Sequence, residues 1–223
     1  MDFKSFFEGF ELDFTSNMDN KRNLSVAQNE MLNFIHDNPF LVIYKGRQEG
    51  VSTCITFYLL WILLTKPGIT IGMLYASNHE RELFRQTINM NLDKINLFFS
   101  KFNIKCVLTA KNHNINVTKL PNGSTIHYWN KNNKSAGRGF SMDFIYISEL
   151  SFSDNFIKLI SNIFPCVAFS PNGKFLITTT NLRNIKEDFH MNGDSIIEYW
   201  SDNFFSGTRR VIVEKLKRVN FKL

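Results

Sequence analysis

Three observations in this 223-residue sequence predict an α/β protein with a central, mostly parallel sheet flanked by helices. Short apolar runs alternate with helical patterns, as strands and their crossover helices do. Several of those runs are apolar at nearly every position, which marks strands covered on both faces. One stretch, 103–129, switches to period-two alternation and predicts a single antiparallel hairpin inserted into that scheme.

Residues 1–23 are mixed and acidic and read as an N-terminal arm. From Leu24 to Ile35, the apolar positions Val26, Met31, Leu32 and Ile35 predict a short helix that Asn38-Pro39 ends. Phe40 to Tyr44 is a buried strand running into a Gly-containing loop, and Ser52 to Leu64 is a helix apolar almost all round, hence buried. Ile69 to Ala76 is a second buried strand. Ser77 and Glu80 have the spacing of a capping box, and behind them Phe84, Ile88, Leu92, Ile95 and Phe99 form a helical stripe. In the hairpin, Ile115 and Val117 precede a Pro121-Asn122-Gly123 turn, and Ile126 and Tyr128 follow it. A polar loop over 130–139 leads to a third buried strand, Phe144 to Ile147, and then to a helix over about 154–164. Phe175 to Thr179, opened by Pro171-Asn172-Gly173, is a fourth strand, and a last helix is expected over 194–204.

Composition narrows the class. Hydrophobic residues at 43% and charged residues at 21% exclude a disordered or fibrous chain. The three cysteines, Cys54, Cys106 and Cys166, have no zinc spacing and suit a reducing compartment. The most apolar stretch, Cys54 to Leu64, has 11 residues, against about 20 for a membrane span. Met1-Asp2-Phe3-Lys4 does not begin a signal peptide, so a soluble cytoplasmic protein is expected. Net charge is +6, with −4 over residues 1–40 and +5 over 204–223, where Arg209, Arg210, Lys215, Lys217, Arg218 and Lys222 fall. That balance is compatible with a nucleic-acid partner.

The most informative stretch is Lys45-Gly46-Arg47-Gln48-Glu49-Gly50-Val51-Ser52-Thr53. It follows a strand and opens a helix, the setting a phosphate-binding loop requires, where glycines let backbone N–H groups turn toward an anion. Ser52 stands where a hydroxyl would ligate Mg²⁺. Val51 occupies the usual place of the lysine, and Lys45 offers a cation at the front of the loop. About a hundred residues later, the strand Phe144–Ile147 ends in Ser148-Glu149. A carboxylate at the C-terminal edge of a parallel sheet faces the ligand crevice and can orient or deprotonate the water that attacks a γ-phosphate. A further strand ends in Thr178-Thr179-Thr180 at the same edge. His36, His79, His113, His127 and His190 show no ligand spacing.

This order of segments, over about residues 24–185, resembles the ATPase domain of phage terminase large subunits, the motors that package DNA into procapsids. The loop is similar to the deviant Walker A of one branch of that family, with its lysine at the front. Ser148-Glu149 is similar to that branch's Ser-Glu where other members have Asp-Glu. Thr178 to Thr180 resembles the family's coupling motif, and Leu24 with Gln28, 17 residues before Lys45, its adenine-reading glutamine motif. Gly137-Arg138-Gly139 resembles the segment that supplies an arginine finger in some members.

The resemblance implies a P-loop NTPase core over 24–203, with an arm at 1–23 and a basic segment at 204–223. Family members usually continue into a nuclease domain; the expectation for this chain, which departs from them there, is no nuclease domain. The resemblance also implies ATP hydrolysis that drives double-stranded DNA into a procapsid, with ATP and Mg²⁺ at the site. Lys45 and the N–H groups of Gly46 to Ser52 would hold the phosphates, Ser52 and Ser148 would face the metal, Glu149 would position water, and Arg138 would complete a neighbour's site. Implied partners are a portal protein, a small terminase subunit, a nuclease on a separate chain and further copies in a ring, with no membrane. The expected location is the host cytoplasm, transiently at the portal vertex. Val51 and Ser148 leave a second reading open, a weak or inactive relative serving as a structural or regulatory subunit of a packaging complex. A helicase-like translocase is the third reading, and it would need a second motor domain.

Overall fold

The computed structural model describes residues 26–45, 50–101, 111–114, 116–130, 133, 136–149, 156–168, 170–180, 196–201 and 209–215. In chain order the elements are α1 (Val26–Asp37), β1 (Phe40–Tyr44), α2 (Val51–Thr65), β2 (Thr70–Tyr75) and α3 (Asn78–Lys101). They continue with β3 (Lys111–Asn114), β4 (Val117–Lys119), β5 (Thr125–Asn130), β6 (Phe144–Ile147), α4 (Phe156–Ala168), β7 (Lys174–Thr179), β8 (Ile196–Ser201) and β9 (Arg209–Lys215).

The nine strands among the described residues join one sheet in the order β3-β4-β5-β2-β6-β7-β1-β9-β8. The five central strands, β5, β2, β6, β7 and β1, run parallel. The expected hairpin is present as β4 and β5, which pair antiparallel around the Pro121-Asn122-Gly123 turn. Its second strand is also paired parallel with β2, so the hairpin extends the sheet. The helix expected over 194–204 is instead β8, paired antiparallel with β9. Its Ile196-Ile197-Glu198-Tyr199-Trp200 run is β-branched and aromatic, a composition that prefers a pleated surface. β9, from the basic C-terminal segment, pairs antiparallel with β1.

The alternation of side chains along each parallel strand divides the core in two. Leu41, Ile43, Ile71, Met73, Phe144, Tyr146 and Leu176 pack with α1, α2 and α3 on one face. The intervening Val42, Leu74, Ile145, Ile147, Phe175 and Ile177 pack against Leu159, Ile163 and Val167 of α4 on the other. This two-sided cover explains why the strands are apolar at consecutive positions. α2 is buried along most of its length, from Val51 through Leu63, because it lies between the sheet and the other helices of its layer. Among the described residues no helix is long and apolar enough to cross a membrane.

Candidate functional site

The C-terminal ends of β1, β6 and β7 meet beside the first turn of α2. Lys45 follows β1, Ser148-Glu149 follows β6, and Thr180 follows β7, the strand between them. The Lys45 N–H donates to the Thr179 carbonyl at 2.9 Å, so the start of the loop is tied to the end of β7. Lys45 Nζ donates to Glu149 Oε1 across that end, in an ion pair whose side chains are 11% and 16% exposed. The other carboxylate oxygen, Oε2, accepts from both the Thr180 N–H and the Thr180 hydroxyl, each at 3.1 Å. Glu149 is the only non-glycine among the described residues with positive φ, at 49°. A left-handed backbone costs a residue with a Cβ about 1–2 kcal/mol, and such costs concentrate where a side chain must be aimed.

The loop's last glycine is needed for the same geometry. Gly50 caps α2 with φ 72°, and a Cβ there would lie 2.9 Å from Nε2 of Gln28. That proximity brings Gln28 of α1 against the loop. Gly46, Arg47, Gln48 and Glu49 lie outside the described residues, so the middle of the expected phosphate cradle is among them. Val51 is 1% exposed and belongs to the core. A cation at 51 would be buried among apolar groups, and Lys45 is the lysine that the fold brings to the site. Ser52 is exposed in the first turn of α2, and Thr53 is half-buried.

Beneath these groups lies a buried hydroxyl cluster. Tyr146 of β6 is fully enclosed, with its hydroxyl 3.1 Å from Thr178 Oγ1 and within hydrogen-bonding reach of Ser148 and Ser52. Burial pushes that phenol up to about 12, against the pull of these hydrogen bonds, so it stays protonated. Thr178 and Thr179 are buried in β7. The Ser148 hydroxyl, also buried, donates to Glu80 Oε1. Glu80 Oε2 accepts from the Ala76 N–H at 3.2 Å, and its own N–H donates to Ser77 Oγ at 3.1 Å, so the expected cap of α3 is present. Glu80 and Tyr146 are the two residues the sequence did not assign to the site. Glu80 had a signal, since it follows β2, the parallel neighbour of β6, and so stands at the same sheet edge.

Arg138 is not brought to this group. It is exposed between Gly137 and Gly139, whose φ values are 77° and 79°. Flanking glycines suggest a mobile loop, yet Gly137 is packed, with its carbonyl accepting from Cys166 Sγ at 2.9 Å. A Cβ at 137 would stand 2.9 Å from that sulfur. The loop thus lies on the last turns of α4, which leads to the opposite ends of the strands.

No group of three or more His, Cys, Asp and Glu able to hold a metal occurs among the described residues. The donors present are hard oxygens, namely the hydroxyls of Ser52 and Ser148 with the carboxylates of Glu80 and Glu149. That set fits Mg²⁺, which keeps several waters and is shared with phosphates rather than caged by protein.

The family model for the N-terminal part of T4likevirus-type terminase large subunits matches residues 42–189. Among solved structures, the chain is similar to the large terminase of bacteriophage HK97, at 14% identity and a TM-score of 0.63, over 80% of this chain and 37% of that one. It is also similar to an arginine-to-alanine variant of the ATPase domain of the Thermus phage P74-26 large terminase. There the identity is 16% and the TM-score 0.53, over 79% of this chain and 78% of that domain. At these identities the structural likeness speaks for the fold. The chain spans little more than a third of the HK97 protein. No curated protein sequence matches significantly.

Proposed function

Because the chain belongs to the T4likevirus-type family of terminase large subunits, through their N-terminal region, we propose that it hydrolyses ATP to drive double-stranded DNA into a phage procapsid. The observation that carries this reading is the convergence of Lys45, Glu149 and Thr180 over the end of β7, next to the first turn of α2.

The phosphates would approach the N-terminus of α2, where unpaired N–H groups and the helix dipole favour an anion. Lys45 would leave Glu149 and donate to phosphate oxygens. Glu149, released from the ammonium but still held by Thr180, would orient a water toward the γ-phosphate and take its proton. Ser52 would hold Mg²⁺, which when bound neutralises charge on the phosphates. Thr180 contacts the carboxylate while Thr179 contacts Lys45 through the backbone, which supports a coupling role for 178–180. The exposure of Arg138 and its distance in the fold from its own chain's site support action on an adjacent subunit's nucleotide in a ring. Portal protein and small subunit remain the proposed partners, in the host cytoplasm and transiently at the portal vertex.

Ser148 in the place of an acidic residue favours the competing reading, a structural or regulatory subunit. ATP turnover by the purified chain, with and without double-stranded DNA, separates them. DNA-stimulated turnover that Glu149→Gln removes is the expected result, and no turnover under either condition would favour the structural reading.

A further inference from the structure

The residue directly before Glu149 is Ser148, a neutral side chain at the edge where the metal is expected. The fold brings a carboxylate to that spot. Glu80 comes from the first turn of α3, 68 residues before Ser148, and accepts the Ser148 hydroxyl proton on Oε1. Its orientation is fixed twice over, by the Ala76 N–H on Oε2 and by the anchoring of its own N–H on Ser77. Ser148 in turn shares the Tyr146 hydroxyl as a neighbour with Ser52, which ties the carboxylate to the hydroxyl expected to face the metal. A hydroxyl that donates to a carboxylate is polarised, and its oxygen becomes a stronger acceptor.

We propose that Glu80, acting through Ser148, is a positioning residue for the nucleotide's magnesium, supplying from α3 the negative charge that the residue before Glu149 lacks. Ser148 presents a polarised oxygen to the metal's water shell, and the Glu80 carboxylate behind it provides the charge. Helix capping alone would need only the bonds to Ala76 and Ser77, whereas the Ser148 contact points into the site.

This inference rests on the nucleotide-binding reading, and the test separates the two. The affinity of the full chain for a fluorescent ATP analogue is measured in Mg²⁺ and in EDTA. The wild type should bind in both and more tightly in Mg²⁺. Glu80→Gln keeps the size and an acceptor oxygen but loses the charge. It should reduce the Mg²⁺ gain about tenfold or more, the usual effect of losing a residue that supports a metal ligand, and leave the EDTA affinity unchanged. Ser77→Ala, which weakens the cap without touching Ser148, should keep the Mg²⁺ gain. Ser148→Asp should restore the gain in the Glu80→Gln background, while alone, facing Glu80, it should reduce it by like-charge repulsion. A Mg²⁺ gain that survives Glu80→Gln, that falls equally in Ser77→Ala, or that Ser148→Asp fails to restore would overturn the inference. A wild-type chain that binds no analogue in either buffer would sink the nucleotide-binding reading, and the inference with it.

Discussion

The lysine that should meet the phosphates is held by the carboxylate that should activate water. Glu149→Gln tests this arrangement because it removes the charge and keeps the shape. Thr180 still donates to the amide oxygen, so the side chain stays near its place, while Lys45 loses its ionic partner. With side chains 11% and 16% exposed, the pair stands between two regimes. Fully exposed pairs are worth about 0–1 kcal/mol, and breaking a buried pair costs about 3–5 kcal/mol. With the single amide oxygen kept by Thr180, the NH₂ group faces Lys45 and the ion pair is lost. The partial exposure sets the interaction released at about 1–2 kcal/mol, between those limits. Nucleotide binding no longer has to displace it, so affinity should rise about five- to thirtyfold. Turnover should fall about 10²–10⁴-fold with the loss of the base. Titration of a fluorescent ATP analogue, paired with a phosphate-release assay, reads both changes. Weaker binding by Glu149→Gln would show that Glu149 helps to hold the nucleotide, and would refute the idea that it competes for Lys45.

Lys45→Ala should abolish nucleotide binding, because Val51 is in the core and no other lysine lies in the loop; normal binding by this variant, measured calorimetrically, would exclude the front-of-loop assignment. Turnover per chain should rise with protein concentration, and mixing Arg138→Ala with Glu149→Gln chains should restore part of the activity, because some interfaces then pair two intact residues. Gly50→Ala should destabilise the protein by about 1–2 kcal/mol for its left-handed φ, displacing Gln28; an unchanged melting temperature would contradict the geometry at 50. Lys174 donates to the carbonyls of Ile35 and His36 at the end of α1, and burial, with Lys66 nearby, lowers its ammonium from 10.5 to about 8. The folded value lies below the unfolded one, so the unfolded chain binds more protons from pH 8 to 10.5 and stability rises with pH across that window. The rise should be about 1 kcal/mol because the group is partly in water. Urea unfolding at both pH values should show it in wild type and not in Lys174→Met.

What the sequence revealed and concealed follows from the range of the forces involved. β1, β2, β6 and β7 were legible because burial on both faces makes them continuously apolar, and Lys45, Glu149 and Thr180 because each ends such a run. β3 is Lys-Asn-His-Asn, an edge strand with no apolar pattern to give it away. β8 reads as a helix from sequence alone because its state depends on β9, a partner 8 or more residues further along, which no local window contains. Tyr146 was hidden by its own strand, where its ring looks like core and only the fold shows where its hydroxyl ends. Glu80 was visible only as a cap, since its second partner lies 68 residues away.

The strand order has one more consequence, which concerns room. Neighbouring strands lie about 4.8 Å apart. Had β1 and β6 been neighbours, Lys45 and Glu149 would leave their strands at that spacing, too close for anything to enter between them. With β7 interposed, the two backbones stand about 9.6 Å apart, two such spacings. Only their long side chains bridge the gap, folding over the tip of the middle strand. In the proposed hydrolysis, once those side chains part, the interval would hold a phosphoryl group and a water in line, with the cation on one wall and the carboxylate on the other. The width of that gap is set by a strand that contributes neither of them.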